Sequence, residues 1–115
     1  MFLAAYIQGR VAEHRARRHL RRVGFRILRS NVRVGSGEID ILAVDGRCLV
    51  AVEVKYRQKG ILQADQAIDR SKLDRVERTL MLFLRRNRAL ATLHRRIDIL
   101  LLDAQGKVSH FRGIR

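Results

Sequence analysis

The sequence predicts an α/β fold in which a mixed β-sheet is flanked by helices, in the order helix, three strands, helix, two strands. Helical spacing of small and apolar residues marks two stretches, and short β-rich runs bounded by Gly, Asp and Asn lie between and after them. Several of these runs are almost continuously apolar, as expected of strands covered on both faces. Short turns join antiparallel neighbours, whereas a helix can return the chain for parallel pairing, so both pairings are expected in one sheet.

The first helix is predicted from a stripe of residues at helical spacing, and it ends near Gly24. The stripe consists of Gly9, Glu13, Ala16 and Leu20. A strand follows from Phe25 to Val34, and its alternation slips around residues 29–31, which indicates a bulge or bend. Gly35-Ser36-Gly37 then turns the chain.

The central part of the chain predicts a hairpin followed by a long helix. Glu38 to Val44 and Cys48 to Tyr56 read as strands, and Asp45-Gly46 between them is a strong hairpin signal. The helix is predicted from about Gln63 to Arg88, with Asp74 and Arg78 as a surface ion pair at i, i+4. Ile97 to Leu102 is then a buried strand, and Val108 to Arg112 a short edge strand.

Composition limits the class of protein. The 115 residues have a formal net charge of +14, a pI near 11.6 and 47% apolar residues, which predicts one folded domain over residues 1–115. A basic disordered tail would be less apolar. Cys48 is the single cysteine, which excludes an internal disulfide and a multi-cysteine zinc site.

The charge also predicts the partners and the compartment. There are 21 Arg against 4 Lys, and Arg suits phosphate recognition, although Arg enrichment can also reflect genome composition. We expect nucleic acid as the partner before an anionic membrane surface. The opening Met1 to Ile7 is too short to span a membrane and lacks a basic segment before it, so we expect a cytoplasmic protein without membrane association.

A few charged residues interrupt the apolar strands. Asp40 lies between two isoleucines, and Glu53 and Lys55 alternate with valines. Because side chains alternate along a strand, Glu53 and Lys55 share a face, and Asp40 on the adjoining strand could face them. Glu13, on the stripe of the first helix, could approach the same place.

Burying these acids needs compensation, because an unpaired ionised carboxylate costs several kcal/mol. Either Lys55 neutralises an acid in a structural ion pair, or two or three carboxylates converge on a divalent cation such as Mg²⁺. Two acids beside one lysine leave a negative pocket inside a strongly basic protein, which favours the metal.

These residues carry a resemblance. Gly37-Glu38-Ile39-Asp40, twelve residues and then Glu53-Val54-Lys55 resemble the D-x(n)-E-x-K core of the PD-(D/E)XK nuclease superfamily. The wider pattern resembles the YraN family of uncharacterised bacterial proteins over nearly the full chain. Further matching positions are Gly9, Glu13, Ala16, Leu20, Gly24, Phe25, Asn31, Arg33, Arg57, Lys72, Arg75 and Arg96-Ile97-Asp98. Thr79 departs from the alanine usual in the family, and Ile97 from the usual phenylalanine.

The resemblance implies a restriction endonuclease-like fold, similar to that of archaeal Holliday-junction resolvases. It implies that Asp40 and Glu53 bind Mg²⁺ or Mn²⁺, with the carbonyl of Val54 as a further ligand. Lys55 would orient the attacking water and offset transition-state charge, and Glu13 would complete the metal shell or position a water. The implied activity is metal-dependent hydrolysis of phosphodiester bonds in DNA, including branched or structured DNA.

Nucleic-acid contacts are expected from four basic residues, with DNA ranked above RNA. They are Arg33, Arg57, Lys72 and Arg75. A homodimer is compatible with the resemblance, since many nucleases of this fold act as two-fold dimers.

Alternative interpretations remain open. Glu13 could simply pair with Arg17, and Asp98 is expected to pair with Arg96 or Arg75 rather than to act in catalysis. The four histidines show no metal-ligand spacing, and none is assigned to a site. The second function class is a non-catalytic nucleic-acid-binding module on a nuclease fold.

Overall fold

The computed structural model describes residues 2–56 and 69–115, with side chains from residue 9 onward. Its described elements follow the predicted order of helix, three strands, helix and two strands. They are α1 (Phe2–Arg22), β1 (Arg26–Val34), β2 (Gly37–Asp45), β3 (Cys48–Tyr56), α2 (Arg70–Arg86), a 3₁₀ turn (Arg88–Leu90), β4 (His94–Leu102) and β5 (Val108–Phe111).

The strands of the described residues form one mixed sheet in the order β1-β2-β3-β4-β5. The pairs β1–β2, β2–β3 and β4–β5 are antiparallel, as expected for strands joined by short turns. β3 and β4 are parallel, from Cys48 opposite His94 to Tyr56 opposite Leu102. The mixed sheet is therefore confirmed.

Each face of the sheet is covered by one helix, which confirms the predicted flanking helices. α1 contributes Ala12, Ala16 and Leu20 to a core that includes Val50 and Val52 of β3. α2 covers the other face with an apolar stripe, which forms one core cluster with residues of β1, β2, β3 and β4. The stripe consists of Leu73, Val76, Leu80, Phe83 and Leu84.

The second helix differs from the prediction at both ends. Asp69 has an extended backbone (φ −115°), and its side chain accepts a hydrogen bond of 3.1 Å from the Lys72 amide. This N-cap starts α2 at Arg70, so a continuous helix from Gln63 is wrong, and residues 57–68 lie outside the described part of the chain. At the other end, the Asn87 side chain donates to the Phe83 carbonyl (2.9 Å) and closes α2 before Arg88.

One predicted surface pair is replaced by a longer-range contact. Asp74 contacts Arg115 rather than Arg78, and Arg115 also donates to Glu77 (2.9 Å). These bonds tie the C-terminal residues to the outer face of α2. No helix in residues 2–56 or 69–115 is long and apolar enough to cross a membrane.

Candidate active site

Regular pairing between β2 and β3 stops before Asp40. The β2–β3 ladder runs from Asp45 opposite Cys48 as far as Ile41 opposite Val52. Beyond that point the Asp40 side chain takes over, because its Oδ2 accepts a hydrogen bond of 2.9 Å from the Val54 amide. The carboxylate is thereby fixed against the backbone of β3, one residue from Glu53.

The neighbouring strand is irregular at the same level. Pairing between β1 and β2 passes from Ser30 opposite Ile41 to Val32 opposite Ile39, without a pair between Asn31 and Asp40. Asn31 has a left-handed backbone (φ 53°), which asparagine tolerates better than most residues. A register shift also occurs between Ile27 and Arg29, so the predicted irregularity is confirmed and begins slightly earlier.

Glu53 is buried on the α2 side of the sheet, with 2% of its surface exposed. Its Oε2 lies 3.0 Å from the Lys72 Nζ at the first turn of α2. The ammonium is at ion-pair distance but poorly aligned for a hydrogen bond, and Oε1 has no hydrogen-bond partner among the described residues. Glu53 therefore keeps buried lone pairs that a cation could use.

The electrostatics of the pair reflect this burial. Burial, and after it the negative charge of Asp40, raises the pKa of Glu53 to about 6, against the opposing effects of Lys72 and Lys55. Burial also raises the pKa of Asp40, although the Val54 hydrogen bond and Lys72 oppose the rise. The ionised pair is thus held in an unfavourable environment.

The cation beside the acids is Lys72, not Lys55. In the ion-pair alternative drawn from the sequence, Lys55 is the residue that neutralises an acid, because it shares the face of Glu53. In the structure Lys55 acts on Glu53 only through its charge. Burial lowers the pKa of Lys72, but the contact with Glu53 outweighs this and the net pKa is raised. The pairing joins residues on different elements, so strand periodicity could not reveal it.

Glu13 lies on the other side of the sheet, facing a small cavity. Its Oε1 accepts hydrogen bonds from Arg17 Nη1 and from Asn31 Nδ2, both at 2.9 Å. Glu13 and Asp40 line this cavity of about 200 Å³ together with Val54. The structural pairing with Arg17 is therefore present.

The described residues hold no group of three or more Asp, Glu, His or Cys side chains arranged for one metal ion. Asp40 and Glu53 remain as a pair of carboxylates. Mg²⁺ is commonly bound by one or two carboxylates, with waters and substrate phosphates as the other ligands. Glu53 interacts electrostatically with Asp40, and its Oε1 has no hydrogen-bond partner among the described residues, so the two acids could serve as ligands of such an ion.

The four predicted nucleic-acid contacts fall in different places. Lys72 belongs to the acid pair, and Arg75 is exposed one turn further along α2. The side chain of Arg33 is 80% exposed and lies 3.9 Å from Glu38. Arg57 lies outside the described residues.

Asp98 is also a buried acid, but its surroundings favour the ionised form, unlike those of Glu53. Its oxygens accept hydrogen bonds from Arg96 (2.8 and 3.0 Å), from His110 Nε2 (2.8 Å) and from the Gly113 amide (2.9 Å). Burial alone would raise its pKa, but these donors lower it to about 2. The predicted pairing with Arg96 is confirmed, and the role is structural.

A histidine pair behind Asp98 was missed by the sequence analysis. His19 Nε2 lies 3.1 Å from His110 Nδ1, so α1 and β5 are joined through two rings to Asp98. Burial and the neighbouring His110 lower the pKa of His19. The two histidines are far apart in sequence, and no local pattern links them.

Comparison with known proteins confirms the resemblance to the YraN family. The model of "Uncharacterised protein family UPF0102" matches residues 12–102. A UPF0102 protein of Xylella fastidiosa is 41% identical over 108 residues, which cover 93% of this chain and 88% of the relative. The UPF0102 protein YraN of Salmonella arizonae is 41% identical over 90 residues (76% and 69%), and a UPF0102 protein of Kosmotoga olearia is 32% identical over 107 residues (93% and 91%).

Proposed function

This chain belongs to the UPF0102 family, whose description assigns no activity, and from its site we propose that it is a metal-dependent endonuclease that hydrolyses phosphodiester bonds in DNA. One observation carries the proposal. Glu53 is buried and ionisable beside Asp40, its Oε1 has no donor among the described residues, and its pKa is raised to about 6. Perturbed carboxylates of this kind cluster at functional sites.

The surroundings of Asp40 and Glu53 disfavour their ionised forms, which lowers the stability of the fold. A purely structural acid would be expected to collect donors as Asp98 does, with a lowered pKa. Glu53 instead has one ammonium on one oxygen and the charge of Asp40 nearby. Such an environment suits a divalent cation, Mg²⁺ or Mn²⁺, held by Asp40 and Glu53 with the Val54 carbonyl as a further ligand. When bound, the cation would polarise the scissile phosphate and lower the pKa of a water.

The residues of the chain would supply orientation and positive charge. Hydrolysis adds water across a P–O bond, leaving a phosphomonoester on one side and a hydroxyl on the other. Lys55 would orient the attacking water, as the resemblance implies, and Lys72 would lie next to the developing negative charge. The side chain of Lys72 is partly exposed, so a phosphate at the site would be accessible to its ammonium. Glu13 would position a water from the cavity that it shares with Asp40.

The choice of DNA rests on charge and composition. The net charge of +14 favours a polyanion, and an aromatic content of 5% offers few stacking platforms for single strands. DNA therefore ranks above RNA, and branched or structured DNA is the proposed substrate by analogy with the superfamily. The single Cys48 agrees with a reducing compartment, so we propose the cytoplasm.

Cleavage assays test the proposal directly. Duplex, single-stranded and four-way-junction DNA would be incubated with the protein in Mg²⁺, Mn²⁺ or EDTA. We expect cleavage only with a divalent cation, and a loss of more than about 100-fold in Asp40→Asn and in Lys55→Ala. The matched control is Glu77→Gln on the exposed outer face of α2, which should cleave like the wild type.

Two results would overturn the enzyme hypothesis. One is cleavage that continues in EDTA, which would point to a contaminant or another site. The other is tight DNA binding without cleavage of any of the three substrates, unchanged in Asp40→Asn. That second result would support the non-catalytic binding module.

A further inference from the structure

A second concave surface lies at the other end of the sheet from Asp40 and Glu53. It has a volume of about 810 Å³ and is formed by the end of α2, the 3₁₀ turn and the start of β4. Of the described residues that line it, four are basic and none is acidic. We call this the Arg88 pocket; its basic residues are Arg85, Arg88, His94 and Arg95.

The arginines of the Arg88 pocket have no anionic partner among the residues that the structure describes. Within the described part of the chain, no carboxylate lies at ion-pair distance from Arg85, Arg88 or Arg95, whereas Arg17, Arg96 and Arg115 each have at least one. Among the described residues, the hydrogen-bond partner of Arg95 Nη1 is the Met81 sulfur, which is a weak acceptor. Three like charges around one concavity repel each other, and a bound anion would relieve this repulsion.

Capping of α2 does not account for these charges. Arg85 lies in the last turn, where cations interact favourably with the helix dipole, but Arg95 lies on β4. The terminal carbonyls of Phe83 and Leu84 already accept from the side chain and the amide of Asn87. The arginines therefore remain available for a ligand.

The floor of the Arg88 pocket is apolar. Leu84 is buried and Leu93 half-buried beneath the basic rim. A nucleotide unit matches both features, because its phosphate can contact guanidinium groups while its sugar or base lies on aliphatic side chains.

We propose that the Arg88 pocket binds a backbone phosphate, with its nucleotide, of the nucleic acid that also reaches the carboxylate site. This rests on the substrate class of the proposed function. Thirteen residues separate Lys72 from Arg85 along α2, about 20 Å at 1.5 Å per residue. That span corresponds to about six nucleotides of a duplex strand at 3.4 Å each. A single DNA duplex is therefore long enough to reach both sites, and binding would then extend well beyond the cleaved bond.

The test is binding of a fluorescent 24-base-pair duplex in EDTA, measured by anisotropy over a range of salt concentrations. Arg88→Ala/Arg95→Ala should weaken binding by about tenfold or more and reduce the log–log salt slope by about 2. Both side chains are exposed, so the fold should tolerate the change. The matched control is Arg18→Ala/Arg21→Ala, which removes the same charge from the exposed face of α1 and should lose less than about threefold.

Equal losses of DNA affinity in the two double variants would overturn the proposal, because the change in net charge alone would then explain them. Binding of DNA by Arg88→Ala/Arg95→Ala with wild-type affinity would also overturn the proposal.

Binding to phosphatidylserine vesicles tests the alternative partner. If Arg88→Ala/Arg95→Ala loses vesicle binding but keeps DNA binding, the surface binds membranes and the proposal is contradicted. If the wild type binds through the pocket but never cleaves DNA, the nuclease hypothesis fails and the pocket stands. If the wild type cleaves DNA and Arg88→Ala/Arg95→Ala binds DNA normally, the pocket proposal fails and the nuclease hypothesis stands.

Discussion

Glu53 and Asp98 are buried acids on the neighbouring parallel strands β3 and β4, and the protein surrounds them in opposite ways. Asp98 receives four hydrogen bonds, and its pKa is lowered to about 2. Glu53 has an ammonium at 3.0 Å from one oxygen, and its pKa is raised to about 6. At neutral pH the ionised form of Asp98 stabilises the fold, whereas the ionised form of Glu53 opposes it.

Replacing each acid by its amide should therefore change stability in opposite directions. A rise in the pKa of Glu53 from 4.5 to about 6 means that the free energy of unfolding falls as pH rises through that range, by up to about 2 kcal/mol. Glu53→Gln should remove this loss and unfold at higher urea at pH 7.5, with a smaller gain at pH 4.5. Asp98→Asn should cost about 3 kcal/mol at both pH values, because the contribution of Asp98 is lost only as pH falls from about 4 through 2.

Urea denaturation in EDTA measures both variants. If Glu53→Gln destabilises the protein at pH 7.5 about as much as Asp98→Asn does, Glu53 is a structural partner of Lys72. The ion-pair alternative to the metal site would then be correct, with Lys72 in place of Lys55.

At the scale of elements, the site depends on how closely α2 approaches β2. Gly37, at the start of β2, lies directly under Thr79 of α2. A Cβ built on Gly37 would lie 1.9 Å from Thr79 Oγ1, which is held by a hydrogen bond of 2.7 Å to the Arg75 carbonyl. The glycine thus allows α2, and with it Lys72, to lie against the strands that carry the acids.

Gly37→Ala should destabilise the protein by about 1–3 kcal/mol, because α2 must move away from β2. The cost should be smaller in a Thr79→Ala background, where the nearest clash is removed, and the double-mutant coupling should exceed about 0.5 kcal/mol. Urea denaturation of the four proteins gives these values. Gly9→Ala is the control, since a Cβ at Gly9 meets nothing within 4 Å and should be neutral or stabilising. Additive effects of Gly37→Ala and Thr79→Ala would show that this contact does not position α2.

The elements differ in how far the sequence predicted them. The strands and the hairpin were predicted closely, because alternation and Asp45-Gly46 are local signals. The start of α2 was not predicted closely. The helical spacing of apolar residues in the sequence extends to the N-terminal side of Asp69, but the N-cap at Asp69 sets the first residue of the helix. At the site, Asp40 and Glu53 were recognisable as acids within apolar strands. The contact of Glu53 with Lys72 joins β3 to α2, and the His19–His110 pair joins α1 to β5, so both needed tertiary structure.

Across the whole molecule, the arginines differ in whether they contact a carboxylate. Some arginines neutralise structural acids such as Asp98 and Glu77, while those of the Arg88 pocket face no carboxylate among the described residues. The acids Asp40 and Glu53 lie together in a protein of net charge +14. This distribution is the one that the proposed function requires, with a phosphate backbone bound at the surface and a cation bound by the two acids.

Mn²⁺ binding measured by isothermal titration calorimetry, without DNA, tests the carboxylate site most directly. The wild type and the control Glu77→Gln should bind one Mn²⁺ per chain with similar affinity. Asp40→Asn and Glu53→Gln should each weaken that binding by at least about tenfold. Unchanged Mn²⁺ affinity in both site variants, or no binding to the folded wild type, would contradict the assignment of Asp40 and Glu53 as metal ligands.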